Sequence, residues 1–141
     1  MNGEVSPQQL IFDAFDKAAA DGWVRGEIEY RRVGKTGEAS IRAYAADGTV
    51  SYPDVGGLAF SKAMRNLRSA MAQPGTGAWF SATIKLTPDG GFAMDVDYDR
   101  EPQWKVPVVA ETYVEEQELF PRDEENQPEW YRAKLREGAG S

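Results

Sequence analysis

The sequence predicts one α+β domain over residues 1–141: helix, three strands, helix, two strands, two helices, with an antiparallel five-stranded sheet carrying its helices on one face. Three observations predict it. Two stretches, Trp23 to Tyr52 and Ala78 to Tyr98, alternate apolar and polar residues with the period of two of a half-buried strand. Two others repeat apolar residues at helical spacing. Turn chemistry separates them, and at 141 residues the chain suffices for one core but not for two independent ones.

The elements follow in order. Ser6-Pro7 joins a hydroxyl N-cap to a proline at the first helical position, and Leu10, Ile11, Ala14, Phe15 and Ala18 form an apolar stripe that Asp21-Gly22 closes. Val24, Gly26, Ile28 and Tyr30 alternate with Arg25, Glu27, Glu29 and Arg31, and Gly34 to Gly37 supplies a turn. Ala39, Ile41 and Ala43 continue the meander to Asp47-Gly48, and Thr49 to Tyr52 forms a short third strand. After the Pro53–Gly57 loop, Phe60, Met64, Leu67 and Met71 mark a second helix, with Lys62, Arg65 and Arg68 largely off the stripe, and Gln73-Pro74-Gly75 breaks it.

The hairpin comes next. Phe80, Ala82, Ile84 and Leu86 face a core while Trp79, Ser81, Thr83 and Lys85 face water, the chain reverses at Thr87 to Gly91, and Phe92, Met94, Val96 and Tyr98 return. A third helix beginning at Pro107 places Val109, Tyr113, Glu116 and Phe120 on one side, and Pro121 ends it. Pro128 opens a short last helix with Trp130, Tyr131 and Leu135, and residues 137–141 are expected to fray.

Composition narrows the chemistry. The chain has no cysteine and no histidine, which removes disulfides, thiolate nucleophiles and the commonest neutral-pH base and metal ligand. No apolar run reaches the roughly 18 residues of a membrane span, and MNGEVSPQQL lacks a signal-peptide pattern, so a cytoplasmic protein is expected. The net charge of −7 lies entirely in the later half: residues 1–75 hold nine acids and nine bases, residues 76–141 fourteen and seven. Between Asp89 and Glu129 the count is thirteen to three. Such a field disfavours nucleic acid and anionic membranes and speeds encounter with a basic partner.

Residues 76 to 132 resemble the YezG-like family of immunity proteins, small bacterial proteins that neutralise polymorphic toxins by binding them. The resemblance rests on the Trp79-Phe80 strand opening, the hairpin end Asp97-Tyr98-Asp99, and Phe120-Pro121-Arg122 leading through Glu125-Asn126 to Pro128-Glu129-Trp130. It implies a binding protein, not an enzyme, whose partner is the toxin domain of a cognate toxin; toxins paired with this family include nucleases.

Asp95, Asp97 and Asp99, spaced two apart on one strand, are expected on one side at intervals of about 6.6 to 6.8 Å, close to the phosphate repeat of a single nucleic-acid strand. Glu101, Trp104, Glu115 and Glu118 complete the expected partner-binding set. Calcium is disfavoured, because a D-x-D-x-D loop would need glycine and glutamate where Arg100 and Val106 stand. No metal, cofactor or catalytic residue is assigned, and the free protein is expected to be a monomer or weak dimer. Paired carboxylates doing acid/base work, or a structural module of a larger assembly, are the alternatives.

Overall fold

The computed structural model describes residues 5–140. Four α-helices and a five-stranded antiparallel sheet appear in the expected order: α1 (Pro7–Ala18), β1 (Trp23–Val33), β2 (Thr36–Ala45), β3 (Val50–Ser51), α2 (Leu58–Met71), β4 (Ser81–Leu86), β5 (Phe92–Asp97), α3 (Ala110–Leu119) and α4 (Glu129–Ala139), with a 3₁₀ turn at Glu124–Asn126. The strand order is β3-β2-β1-β4-β5. Residues 1–4 and Ser141, the last residue of the expected frayed end, lie outside the described residues.

The described residues fall into two compact units. One comprises residues 5–29, 40–70 and 83–95. Here the Ser6 hydroxyl accepts from Gln9 N–H at 3.1 Å and caps α1. Ile11 and Phe15 are fully buried, and Phe15 meets Trp23 edge-on at 4.9 Å, while the Trp23 indole donates to Asp16 at 2.9 Å. Trp23 is buried and Val24 exposed, so the inward alternation of β1 starts at Gly26.

Gly26 is required by that packing. A Cβ there would lie 2.4 Å from the fully buried Phe15 ring. Gly26→Ala is therefore expected to destabilise by about 1–3 kcal/mol through overpacking, measured as a lower urea midpoint at unchanged slope.

In α2, Phe60, Ala63, Met64 and Leu67 are buried as the stripe requires, but so is Arg68, only 1% exposed. The expectation that Arg68 sits off the stripe is wrong: it directly follows Leu67, at the stripe's edge, and the fold encloses it.

The second unit comprises residues 30–39, 71–82 and 96–140. Its core joins Val33, Phe80, Tyr113 and Tyr131, with Trp104, Val108, Trp130 and Leu135 packed against them. Phe80 is the hub, its ring 5.1 Å from Trp130 and 5.4 Å from Tyr131. Trp79, expected on the wet face, is fully buried. It lies ahead of β4, its indole N–H reaching the Met71 sulfur at 3.4 Å and its ring edge-on to Tyr30 at 6.1 Å.

α3 begins at Ala110, three residues after Pro107, because Pro107 and Val109 are exposed in an extended connector. α3 and α4 pack together so closely that a Cβ on Gly138 would stand 2.8 Å from the Ala110 carbonyl. α4 continues to Ala139, so residues 137–139 are helical where a frayed end is expected from the sequence.

Candidate functional site

The aspartate row stops short. Asp95 and Asp97 lie two residues apart on β5, but the strand ends at Asp97, and at Asp99 the period-two rule no longer applies. Asp97 turns back on the chain: its Oδ1 accepts from the N–H groups of Asp99 and Arg100 at 2.8 and 2.9 Å. The Arg100 N–H, together with the Asp99 N–H and the Arg100 charge, outweighs partial burial and holds the Asp97 carboxyl below its usual range. Its Oδ2 lies 3.7 Å from the Arg100 guanidinium, a pair of small energetic value because that arginine is 90% exposed. Asp97 is a turn-former, so the three carboxylates are not evenly spaced along one strand. Asp99 stays exposed, its backbone carbonyl accepting from the Trp130 indole at 2.7 Å.

The connector after β5 is anchored from the β1–β2 hairpin. Glu38 Oε1 accepts from Arg31 Nε and Lys105 N, both at 2.9 Å, and Oε2 from Val106 N at 2.8 Å. Burial pushes the Glu38 carboxyl up, but the Lys105 and Val106 N–H groups and Arg31 outweigh it, so the group sits below its ordinary 4.5. A folded value below the unfolded one means the contribution is complete above 4.5 and is lost as pH falls through the lowered folded value. Wild type is thus expected to lose stability more steeply below that pH than Glu38→Gln, with Lys105 and Val106 amide resonances shifting in the same range. A stability profile by urea titration with parallel NMR spectra measures both.

Trp104, read from the sequence as an exposed contact, is half-buried against the second core, its indole donating to the Tyr113 hydroxyl at 3.0 Å. Burial pushes the Tyr113 phenol above its usual value, and the Trp104 N–H works against that shift. Glu101 is exposed at 3.9 Å from Lys134. Glu115 is half-buried over the β1–β2 turn, where a Cβ on Gly34 would meet its Oε1 at 2.8 Å. Glu118 is exposed. Glu116 has no exposed surface and accepts from Gly34 N–H at 2.8 Å. Its place on the Tyr113 side of α3 was the available signal.

Arg122, part of the Phe120-Pro121-Arg122 motif, is an internal tie in the fold. It is 4% exposed, donates to the carbonyls of Asn126 and Ala78 at 2.9 and 3.0 Å, and lies 4.2 Å above the Phe80 ring. Its carbonyl accepts from Gln117 and Gln127, while Asn126 Nδ2 and Asp123 N donate to the Gly75 carbonyl at 2.9 and 2.8 Å. The Pro-Arg and Glu-Asn motifs thus join Gly75–Phe80 to the segment between α3 and α4.

The accessible charge of the second unit is mostly acidic: Asp99, Glu101, Glu111, Glu118, Asp123, Glu124, Glu125, Glu129 and Glu137 are exposed, against the exposed bases Lys35, Arg100, Lys105, Arg132 and Arg136, while Arg122 is interior. Among the described residues no group of three or more carboxylates is arranged to hold a metal ion, and no helix is long and apolar enough to cross a membrane.

Compared with known proteins, the chain matches no family model and no curated protein.

Proposed function

We propose that this chain is an immunity protein that binds and neutralises a cognate toxin domain, using the acidic surface of its second unit to meet a basic face of that toxin. The observation that carries this reading is that the second unit exposes the carboxylates of Asp99, Glu101, Glu111 and Glu118 while Arg122 is enclosed in the protein. Rim charges of this kind raise association rates and select partners of opposite sign, while affinity comes from a few desolvated anchors. The reading places the protein in the cytoplasm, needs no cofactor, and assigns no catalytic role.

The test is expression of the product of the neighbouring gene with and without this chain. The reading expects growth arrest by the neighbour alone, rescue on co-expression, and co-purification of the pair. Growth unaffected by the neighbour, or arrest without rescue despite soluble co-expression, would count against it.

A further inference from the structure

A groove of about 360 Å³ opens between Ala72–Gly75, the segment leaving α2, and Leu119–Pro121, the end of α3. This volume lies at the small end of ligand pockets, about 300–1,000 Å³, and suits one large apolar side chain better than an extended cofactor. Prolines, Leu119 and Phe120 supply most of the lining, and Leu119 is half exposed. The walls are already joined: Gly75 bridges to Arg122, and its carbonyl holds Asp123 N and Asn126 Nδ2. A preformed apolar site costs little ordering on binding.

Charge chooses the occupant. Both walls start where a helix ends, the side on which the last carbonyls and the negative end of the dipole favour cations. Exposed Glu118 and Asp123 flank the α3 wall in the chain, and no lysine or arginine lines the groove. The neighbouring arginine, Arg122, directs its guanidinium at the carbonyls of Ala78 and Asn126. A second copy of this chain carries the same net charge of −7, which opposes self-association here.

We propose that the groove anchors an apolar side chain from a basic segment of a partner protein, the apolar group entering between Pro74 and Phe120 and its cationic neighbours meeting Glu118 and Asp123. The inference rests on the proposed function for the identity of that partner, the toxin, and supplies the desolvated anchor that the acidic rim lacks.

Two measurements test it. In the first, NMR spectra of the full chain are titrated with a short synthetic peptide alternating leucine and lysine, and with a counterpart carrying glutamate for lysine. The lysine peptide is expected to shift the Gly75, Leu119 and Phe120 amides, and to bind about tenfold or more weaker to Ala72→Trp, which fills the groove, and to Leu119→Ser. Leu119 is half exposed, so its variant keeps the test open if Ala72→Trp does not fold. Shifts away from these residues, equal response to the glutamate peptide, or a change of oligomeric state with Ala72→Trp would overturn the proposal. In the second, the same variants are assayed against the neighbouring gene product. Wild-type binding with undiminished variant binding would overturn the groove and leave the function standing. Failure of wild type to bind would remove the toxin as carrier, and the peptide result would then decide the groove alone.

Discussion

Replacing Arg122 by alanine is expected to destabilise the protein by about 2–4 kcal/mol. The variant removes the donors to the Ala78 and Asn126 carbonyls, the cation over Phe80, and the volume that the side chain fills. A buried carbonyl left without its donor costs about 1–3 kcal/mol, which applies to Ala78, while Asn126 is exposed and loses less. Arg122→Lys keeps the charge but not the planar fork that serves two carbonyls at once, and is expected to recover only part of the loss. Urea unfolding of the three proteins measures the series. Equal stability of the arginine and alanine forms would show that the tie does not hold this unit together.

Phe80→Ala is the second large effect, expected at about 3–5 kcal/mol. Phe80 has no exposed surface and sits between Trp130, Tyr131 and the Arg122 guanidinium, all within 5.4 Å of its ring centre. Its neighbours are held in place: Trp130 donates to the Asp99 carbonyl and Tyr131 to Gln117 at 3.0 Å. The void therefore cannot collapse cheaply, which puts this site toward the costly end of such truncations. Loss of near-ultraviolet circular dichroism from the aromatic cluster should accompany the lower urea midpoint. A variant with both signals unchanged would contradict the placement of Phe80 at the hub.

Much of the fold was legible because local signals agreed with one another. The Ser6-Pro7 start, the alternation through Phe80 to Leu86 and the Phe60–Leu67 stripe each encode their element within a few residues. The start of α3 was read three residues early because proline at the first helical position is common, while here Pro107 belongs to a connector pinned at Lys105 and Val106. That pin is Glu38, 67 residues away in the chain from Lys105, and no local pattern announces such a partner.

The candidate site was legible in charge but not in geometry. Composition located the acidic half correctly, yet spacing cannot tell a strand that continues from one that ends, and the two-residue period of Asp95, Asp97 and Asp99 was broken by the Asp97 turn. Burial of charged groups was equally hidden. Arg68, Glu116 and Arg122 carry polar side chains that a one-dimensional reading assigns to solvent, yet all three are buried, and Glu116 and Arg122 bond to Gly34 and Ala78, far away in the chain. The aromatic residues erred the other way: Trp104 lies in a polar stretch, but its indole found the Tyr113 hydroxyl.

The most direct test is the association rate of this chain with the product of the neighbouring gene, measured by stopped flow across ionic strength, for wild type and for Asp99→Asn/Glu101→Gln/Glu118→Gln. All three side chains are exposed, and Asp99 accepts from Trp130 through its backbone carbonyl, which the substitution keeps. The account predicts a wild-type rate that falls steeply with salt and a variant rate lower by about tenfold or more at low salt, with the two converging once charges are screened beyond about 10 Å. Association that is as fast for the variant as for wild type, and insensitive to salt, would contradict it.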